Sequence, residues 1–284
     1  MTHAPPLAAG RRHSVGRRSD GDVVVAGNTA AGEGDVGQWQ DVIAVAAGNV
    51  HSARNTGRSH TVGLRADGIV LAAGWNGDGQ CEVSAWRGIT AVAAGWRRTL
   101  GIRADGTVLA VGRTVEGQCD VAGWRSVVAV GCGDWHSVGV LADGAAVAVG
   151  NNRSGQCAVG QWRDLIAVSA GYLHTVGLRA DGSVVAVGTR AAGECAVGSW
   201  RDVTSVAAGS HHTVGMLAGG RVVAVGDNTC GQRDVDGWQG IVAIAAGANH
   251  TLGLRADGTV VAAGADLNGQ CNVTGWRGIR RSRP

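Results

Sequence analysis

Six of the nine histidines are placed where side-chain chemistry would be sought: His13, His60, His136, His174, His212 and His250 each precede a Thr or Ser. A ring of imidazoles suits metal ligation or proton transfer, because imidazole changes charge at about pH 6.5. Identical placement beside a hydroxyl argues instead for one structural hydrogen bond made repeatedly. His211, an extra histidine beside His212, is the better ligand candidate. Asp78, Glu116, Asp134, Asp227 and Asp266 would supply acid–base groups alongside it, if two of them converged. The sequence does not show whether any two converge. The sequence lacks a GxSxG elbow, an HExxH pair, a Walker loop and a dinucleotide fingerprint, so no catalytic residue, metal ligand or cofactor is assigned.

The elements that position these side chains follow from a repeat. Trp39, Trp86, Trp124, Trp162, Trp200, Trp238 and Trp276 are spaced by 47 residues and then by 38 five times. This divides the chain into one domain, 1–284, of seven units: 1–39, 40–86, 87–124, 125–162, 163–200, 201–238 and 239–276, with a closing tail 277–284. The longer second unit carries nine extra residues, "SARNTGRSH", from Ser52 to His60, and either His51 or His60 fits the repeated histidine position. Within the last unit, "GIVAIAAG", "HTLGLRAD", "GTVVAAG" and "CNVTGW" are short apolar runs separated by turn signals, and Ala-Asp-Gly marks a tight hairpin. Val, Ile and Thr dominate, and no helical periodicity survives the glycines. Each unit therefore reads as a four-stranded antiparallel blade that cannot bury both faces alone. Seven stacked blades can, which predicts an all-β, seven-bladed β-propeller. The tail "RGIRRS" matches the opening of a unit while the N-terminus begins part way through that strand, so pairing of the N- and C-terminal segments is expected to close the ring.

Composition narrows the class further. The chain has 284 residues, 49 Gly, ten Trp, one Tyr and no Phe, and all its basic residues are Arg. Its net charge of +3 is too small to demand a nucleic-acid or membrane partner. No apolar run reaches the ~18 residues that a membrane helix requires, and no secretory leader is evident, so a cytoplasmic monomer is expected. Cys81, Cys119, Cys157, Cys195 and Cys271 recur at one place per unit, too far apart for disulfides, and are expected to be reduced packing residues.

The units "AAGANHTLGLRADGTVVAAGADLNGQ", "AAGSHHTVGMLAGGRVVAVGDNTCGQ" and "GCGDWHSVGVLADGAAVAVGNNRSGQ" resemble the repeats of the regulator of chromosome condensation family. The resemblance covers essentially the whole chain and implies a seven-bladed propeller. The compact repeat is more similar to bacterial members, including the propeller-type β-lactamase inhibitory proteins, which bind an enzyme with loops on one face. The usual Leu after Gly-Gln is Cys here, the usual third-strand aromatic is Ala, and nothing matches the exchange factor's catalytic insertion. The resemblance therefore implies protein binding and gives no support to nucleotide-exchange activity.

Seven copies within one chain also show where variation is tolerated. The "RADG" turn and the "GWRD" corner barely change, whereas the pair before the histidine position and the loop after the third strand do. Alternate turns of an antiparallel meander lie at the same end, so both variable loops share one face. That face carries Trp75, Trp96, Arg97, Arg98, Arg113, Trp135, Arg153, Tyr172 and Arg190, residue types enriched where binding energy concentrates. These nine are the expected partner-binding residues, for a protein with an acidic surface. Arg98 is the odd member, standing where the other units have histidine. Two alternatives stay open: an enzyme or small-molecule site at the propeller mouth, and nucleic-acid binding through the Arg-rich face.

Overall fold

The structure, a computed structural model, describes residues 5–49, 51 and 58–280. Among these residues, 21 strands form seven separate antiparallel sheets, each of three strands in chain order. Sheet five is typical, with strands Leu165–Ala170, His174–Arg179 and Val184–Gly188. The middle strands His13–Arg17, His60–Arg65, Arg98–Arg103, His136–Leu141, His174–Arg179, His212–Leu217 and His250–Arg255 are the most deeply buried elements. No helix among the described residues is long and apolar enough to cross a membrane.

The core lies in layers between neighbouring sheets. Val176, Leu178 and Val184 of sheet five pack with Val203 and Ala208 of sheet six and with Val197 and Trp200 from the connection between them. Apolar residues on both faces of a three-stranded sheet make this stacking obligatory, since a lone sheet would leave one face in water. Each repeat-marking tryptophan lies over the middle-strand glycine of the following sheet. A Cβ at Gly101 would stand 2.6 Å from Trp86 Cζ3, and one at Gly16 would stand 2.7 Å from Trp276 Cζ3. The last tryptophan thus covers the first sheet, as every other tryptophan covers its successor.

Two expectations are corrected. The fourth run of each unit forms no strand. In sheet seven's unit, Asn272 N–H donates to Gly269 O, Val273 N–H to Cys271 O and Trp276 N–H to Val273 O, so the backbone donors are spent within successive tight turns. Val273 and Trp276 still reach the core, so the segment anchors the sheet without extending it. The expected blade shared by head and tail is reduced to an isolated bridge between Arg18 and Ile279, supported by Ser19 N–H donating to Gly278 O at 2.9 Å.

Candidate functional site

The repeated histidines join sheet to sheet. Each middle-strand Thr or Ser hydroxyl donates to a backbone carbonyl, as Thr175 does to Gln156 O at 2.7 Å. Having given up its one proton, that hydroxyl accepts from the histidine of the preceding sheet, as Thr175 does from His136 Nε2 at 2.7 Å. The ring tautomer is therefore Nε2–H. His13 to Thr61, His60 to Thr99, His174 to Thr213, His212 to Thr251 and His250 to Ser14 repeat the bond at 2.9–3.1 Å. His60 thus fills the repeated position, and His51 is left for another role. Burial pushes all six imidazoles down, His13 to about 4 and the others to about 3, so the ring is neutral and holds the sheets together.

Arg98 completes the circuit and leaves the expected partner-binding set. It is fully buried. Its Nε–H donates to Ser137 Oγ at 2.9 Å, which replaces the histidine bond. The guanidinium reaches further than imidazole, so Nη1 also donates to Asp134 O at 2.8 Å and Nη2 to Gly133 O at 2.7 Å and to His136 O. Three carbonyls of sheet four's first turn are thereby fixed, and that turn carries Asp134 and Trp135.

Seven glycines, Gly10, Gly48, Gly95, Gly133, Gly171, Gly209 and Gly247, surround the axis. A Cβ on each would lie 2.2–3.1 Å from the carbonyl oxygen of the next, and Gly247 leads back to Gly10. No larger residue fits this close approach. The residue after each glycine consequently sits on one narrow rim: Arg11, Asn49, Trp96, Asp134, Tyr172, Ser210 and Ala248. Asp134 N–H to Gly171 O, Tyr172 N–H to Ser210 O and Ala248 N–H to Gly10 O, at 3.2–3.3 Å, tie neighbouring rim positions together.

Outward from the rim runs a ladder of rings and guanidinium groups. Arg97 lies 4.5 Å from the Trp75 ring and 4.7 Å from Trp96. Arg113 lies 5.1 Å from Trp96 and 5.7 Å from Trp135, and Trp96 meets Trp135 edge-on at 4.3 Å. His51 then stacks on Tyr172 at 4.1 Å, and Tyr172 meets His211 at 5.2 Å. Trp75 and Arg113 come from the loops after third strands, Trp96 and Arg97 from the loops before second strands, so the two variable loop sets meet on one face. Each cation–π contact contributes ~0.5–2 kcal/mol depending on desolvation, enough to order the loops.

The ladder's cations are largely neutralised within it. Arg97 pairs with Asp78 at 3.3 Å, and Arg113 makes a two-pronged bond to Glu116 at 2.8 and 3.0 Å. Burial opposes ionisation of Glu116, but hydrogen bonds from Arg113 and Gln118 hold its carboxyl below the usual range. Arg153 and Arg190 are exposed and form no ion pair among the described residues. The carboxylates do not converge. Asp227 is held by Thr229 and Gln232, Asp266 accepts from Cys271 N–H, and Asp134 accepts from both N–H and Nδ1 of His51 at 2.8 and 2.7 Å. No group of three His, Cys, Asp or Glu able to hold a metal occurs among the described residues. The His51 contacts were not anticipated; their one sequence signal was the duplicate histidine at the start of the insertion. Val50 and residues 52–57, with Arg54, lie outside the described residues.

The cysteines serve the same loops. Cys119 Sγ donates to Arg113 O at 3.1 Å and Cys195 Sγ to Thr189 O at 3.1 Å, and burial pushes both thiols up to about 11.

Seven sheets stacked about an axis, each built from the same repeat, define a β-propeller. The family model "Regulator of chromosome condensation (RCC1) repeat" matches residues 55–80, 89–118, 127–156, 203–232 and 241–270, and the chain belongs to that family. No curated protein matches it by sequence. Among solved structures it is similar to Prp20p from Saccharomyces cerevisiae, with a TM-score of 0.65 and 16% identity over 86% of this chain and 77% of that one. Human WBSCR16 gives 0.63 and 16% over 87% and 85%. The ectodomain of the Arabidopsis thaliana receptor kinase ACR4 gives 0.63 and 20% over 78% and 84%. At these identities the likeness concerns the fold.

Proposed function

We propose that this chain is a protein-interaction module, one seven-unit propeller, that engages a partner through the face bearing the ladder. The observation that carries this reading is the continuous stack Trp75–Arg97–Trp96–Arg113–Trp135, extended by His51, Tyr172 and His211, built entirely from loops that vary between repeats. Large rings held rigid in advance, Trp75, Trp135 and Tyr172 half-buried and Trp96 buried, lose little entropy on binding, the condition under which aromatic and Arg contacts become hot spots. Similar propellers support the class: Prp20p is described by its binding to Gsp1p and histones, and yeast RCC1 (Prp20) has been crystallised with Kap60. Because Arg97 and Arg113 already have carboxylate partners, the rings supply most of the attraction, and Arg153 and Arg190 supply complementarity to an acidic rim on the partner.

The test is capture from the native organism's lysate by wild-type protein and, in parallel, by a Trp75→Ala/Tyr172→Ala variant shown by circular dichroism to be folded. A protein retained by the first and lost by the second supports the reading and names the partner. Identical lanes refute the role of these rings.

A further inference from the structure

The ladder repeats one arrangement three times. Arg97 lies against the rings of Trp75 and Trp96, at 4.5 and 4.7 Å, and pairs with Asp78. Arg113 lies against Trp96 and Trp135, at 5.1 and 5.7 Å, and pairs with Glu116. His51 lies against Trp135 and Tyr172, at 6.1 and 4.1 Å, and pairs with Asp134. Each slot thus combines two aromatic rings, one carboxylate and one nitrogen-bearing group. Two slots hold guanidinium groups, and the third holds an imidazole.

The third occupant is the poorest fit. The Asp134 side chain is 1% exposed, and both hydrogen bonds its carboxylate accepts come from His51, one of them from the backbone. Imidazole thus gives this buried carboxylate a single ring N–H, where Arg113 gives Glu116 two. It is also the one group of the three that is not charged at every ordinary pH. A guanidinium carries a permanent charge, forks onto a carboxylate and stacks on rings, so it satisfies such a slot better. Arg11 adds only a more distant positive charge to Asp134. Nor does the scaffold use His51, since His60 fills the repeated position. The His51 side chain is 15% exposed, so the slot reaches solvent. We infer that the slot of Asp134, Trp135 and Tyr172 is the anchor site for an arginine side chain of the docking partner, which takes the place of His51 and completes the row of guanidinium groups. This rests on the reading of the face as a docking surface and names what it docks: a protruding arginine, ringed by the acidic groups that Arg153 and Arg190 fit.

The test follows the ring-proton resonances of His51 in wild-type protein, identified by their loss in His51→Gln. Stacking on Tyr172 shifts them from their ordinary positions, and displacement returns them. Methylguanidinium is titrated at constant ionic strength, with methylurea as the uncharged isostere. A capped Gly-Arg-Gly peptide is titrated beside capped Gly-Gln-Gly. The expected result is a saturable return of the His51 signals with methylguanidinium and with the arginine peptide, and none with either neutral compound. His51→Gly should bind methylguanidinium about tenfold more tightly, because nothing competes for the slot, and Asp134→Asn about tenfold more weakly. Movement with methylguanidinium but not with the arginine peptide assigns the slot to a free cation and overturns the partner's arginine. No saturable movement with either cation, or the same movement with the neutral compounds, overturns the site itself, and this wild-type titration decides it even if a variant fails to fold. Because the probes need no partner, a negative result here is distinct from a failed capture, which bears on whether the face docks a protein at all.

Discussion

Lowering the pH from 7 to 5 should dismantle the fold, through the histidine ring. Each imidazole is neutral because burial holds it at about 3, or about 4 for His13. The unfolded chain titrates them at about pH 6.5, so below that value it binds protons that the folded chain refuses. Stability is therefore fully present above pH 6.5 and is lost as the pH falls towards 3. For one such histidine the loss on going from pH 7 to 5 is roughly 2 kcal/mol, and for six about 11 kcal/mol, comparable with the whole stability of a typical domain. Ordinary carboxylates titrate at about pH 4, so the window from 6.5 to 5 isolates the imidazoles. The assay is urea unfolding followed by tryptophan fluorescence at several pH values. The slope of unfolding free energy against pH should approach that of six protons near pH 5, and His136→Gln should reduce it to about five. A midpoint unchanged between pH 7 and 5 would refute the neutral-ring account.

Further outcomes are expected elsewhere. Gly101→Ala should destabilise the protein by about 1–3 kcal/mol, because its Cβ would stand 2.6 Å from Trp86, and thermal melting would report it. Arg98→Met should cost about 2–4 kcal/mol by leaving Ser137 Oγ and three carbonyls unserved, and should loosen Trp135, seen as altered fluorescence before unfolding. Iodoacetamide at pH 7.5 should label Cys230, the exposed thiol, well before Cys81, Cys119, Cys157, Cys195 and Cys271, whose thiols burial pushes up to about 11. Mass spectrometry of the time course would expose the idea as wrong if all seven reacted together.

The repeat was legible because Trp and middle-strand Gly must pair once per unit, and that packing rule leaves its period in the letters. The histidine ring was legible for the same reason: His and the next residue's hydroxyl serve two different sheets, so the dipeptide must recur. The fourth run misled because Val273 and Trp276 look like strand residues, while the turn bonds that consume their backbone donors leave no mark on hydropathy. Arg98 looked like a surface feature because only three-dimensional distance shows that a guanidinium reaches the carbonyls of Gly133 and Asp134. The neutralisation of the Arg-rich face was hidden for a related reason: Asp78 pairs with Arg97 from 19 residues away, and nothing in their order announces it. His51 was hidden by its position at the edge of an insertion, 83 residues from Asp134.

The central claim is that a constant scaffold presents one binding face through its aromatic and guanidinium ladder. With the captured partner in hand, calorimetry should compare wild-type protein, Trp75→Ala, Tyr172→Ala and Arg221→Ala, the last an exposed change at the opposite end of the sheets. The account predicts that each ring variant weakens binding by about tenfold or more while Arg221→Ala binds as wild type. Loss of affinity in Arg221→Ala with the ring variants unaffected would place the interface on the other face and contradict it.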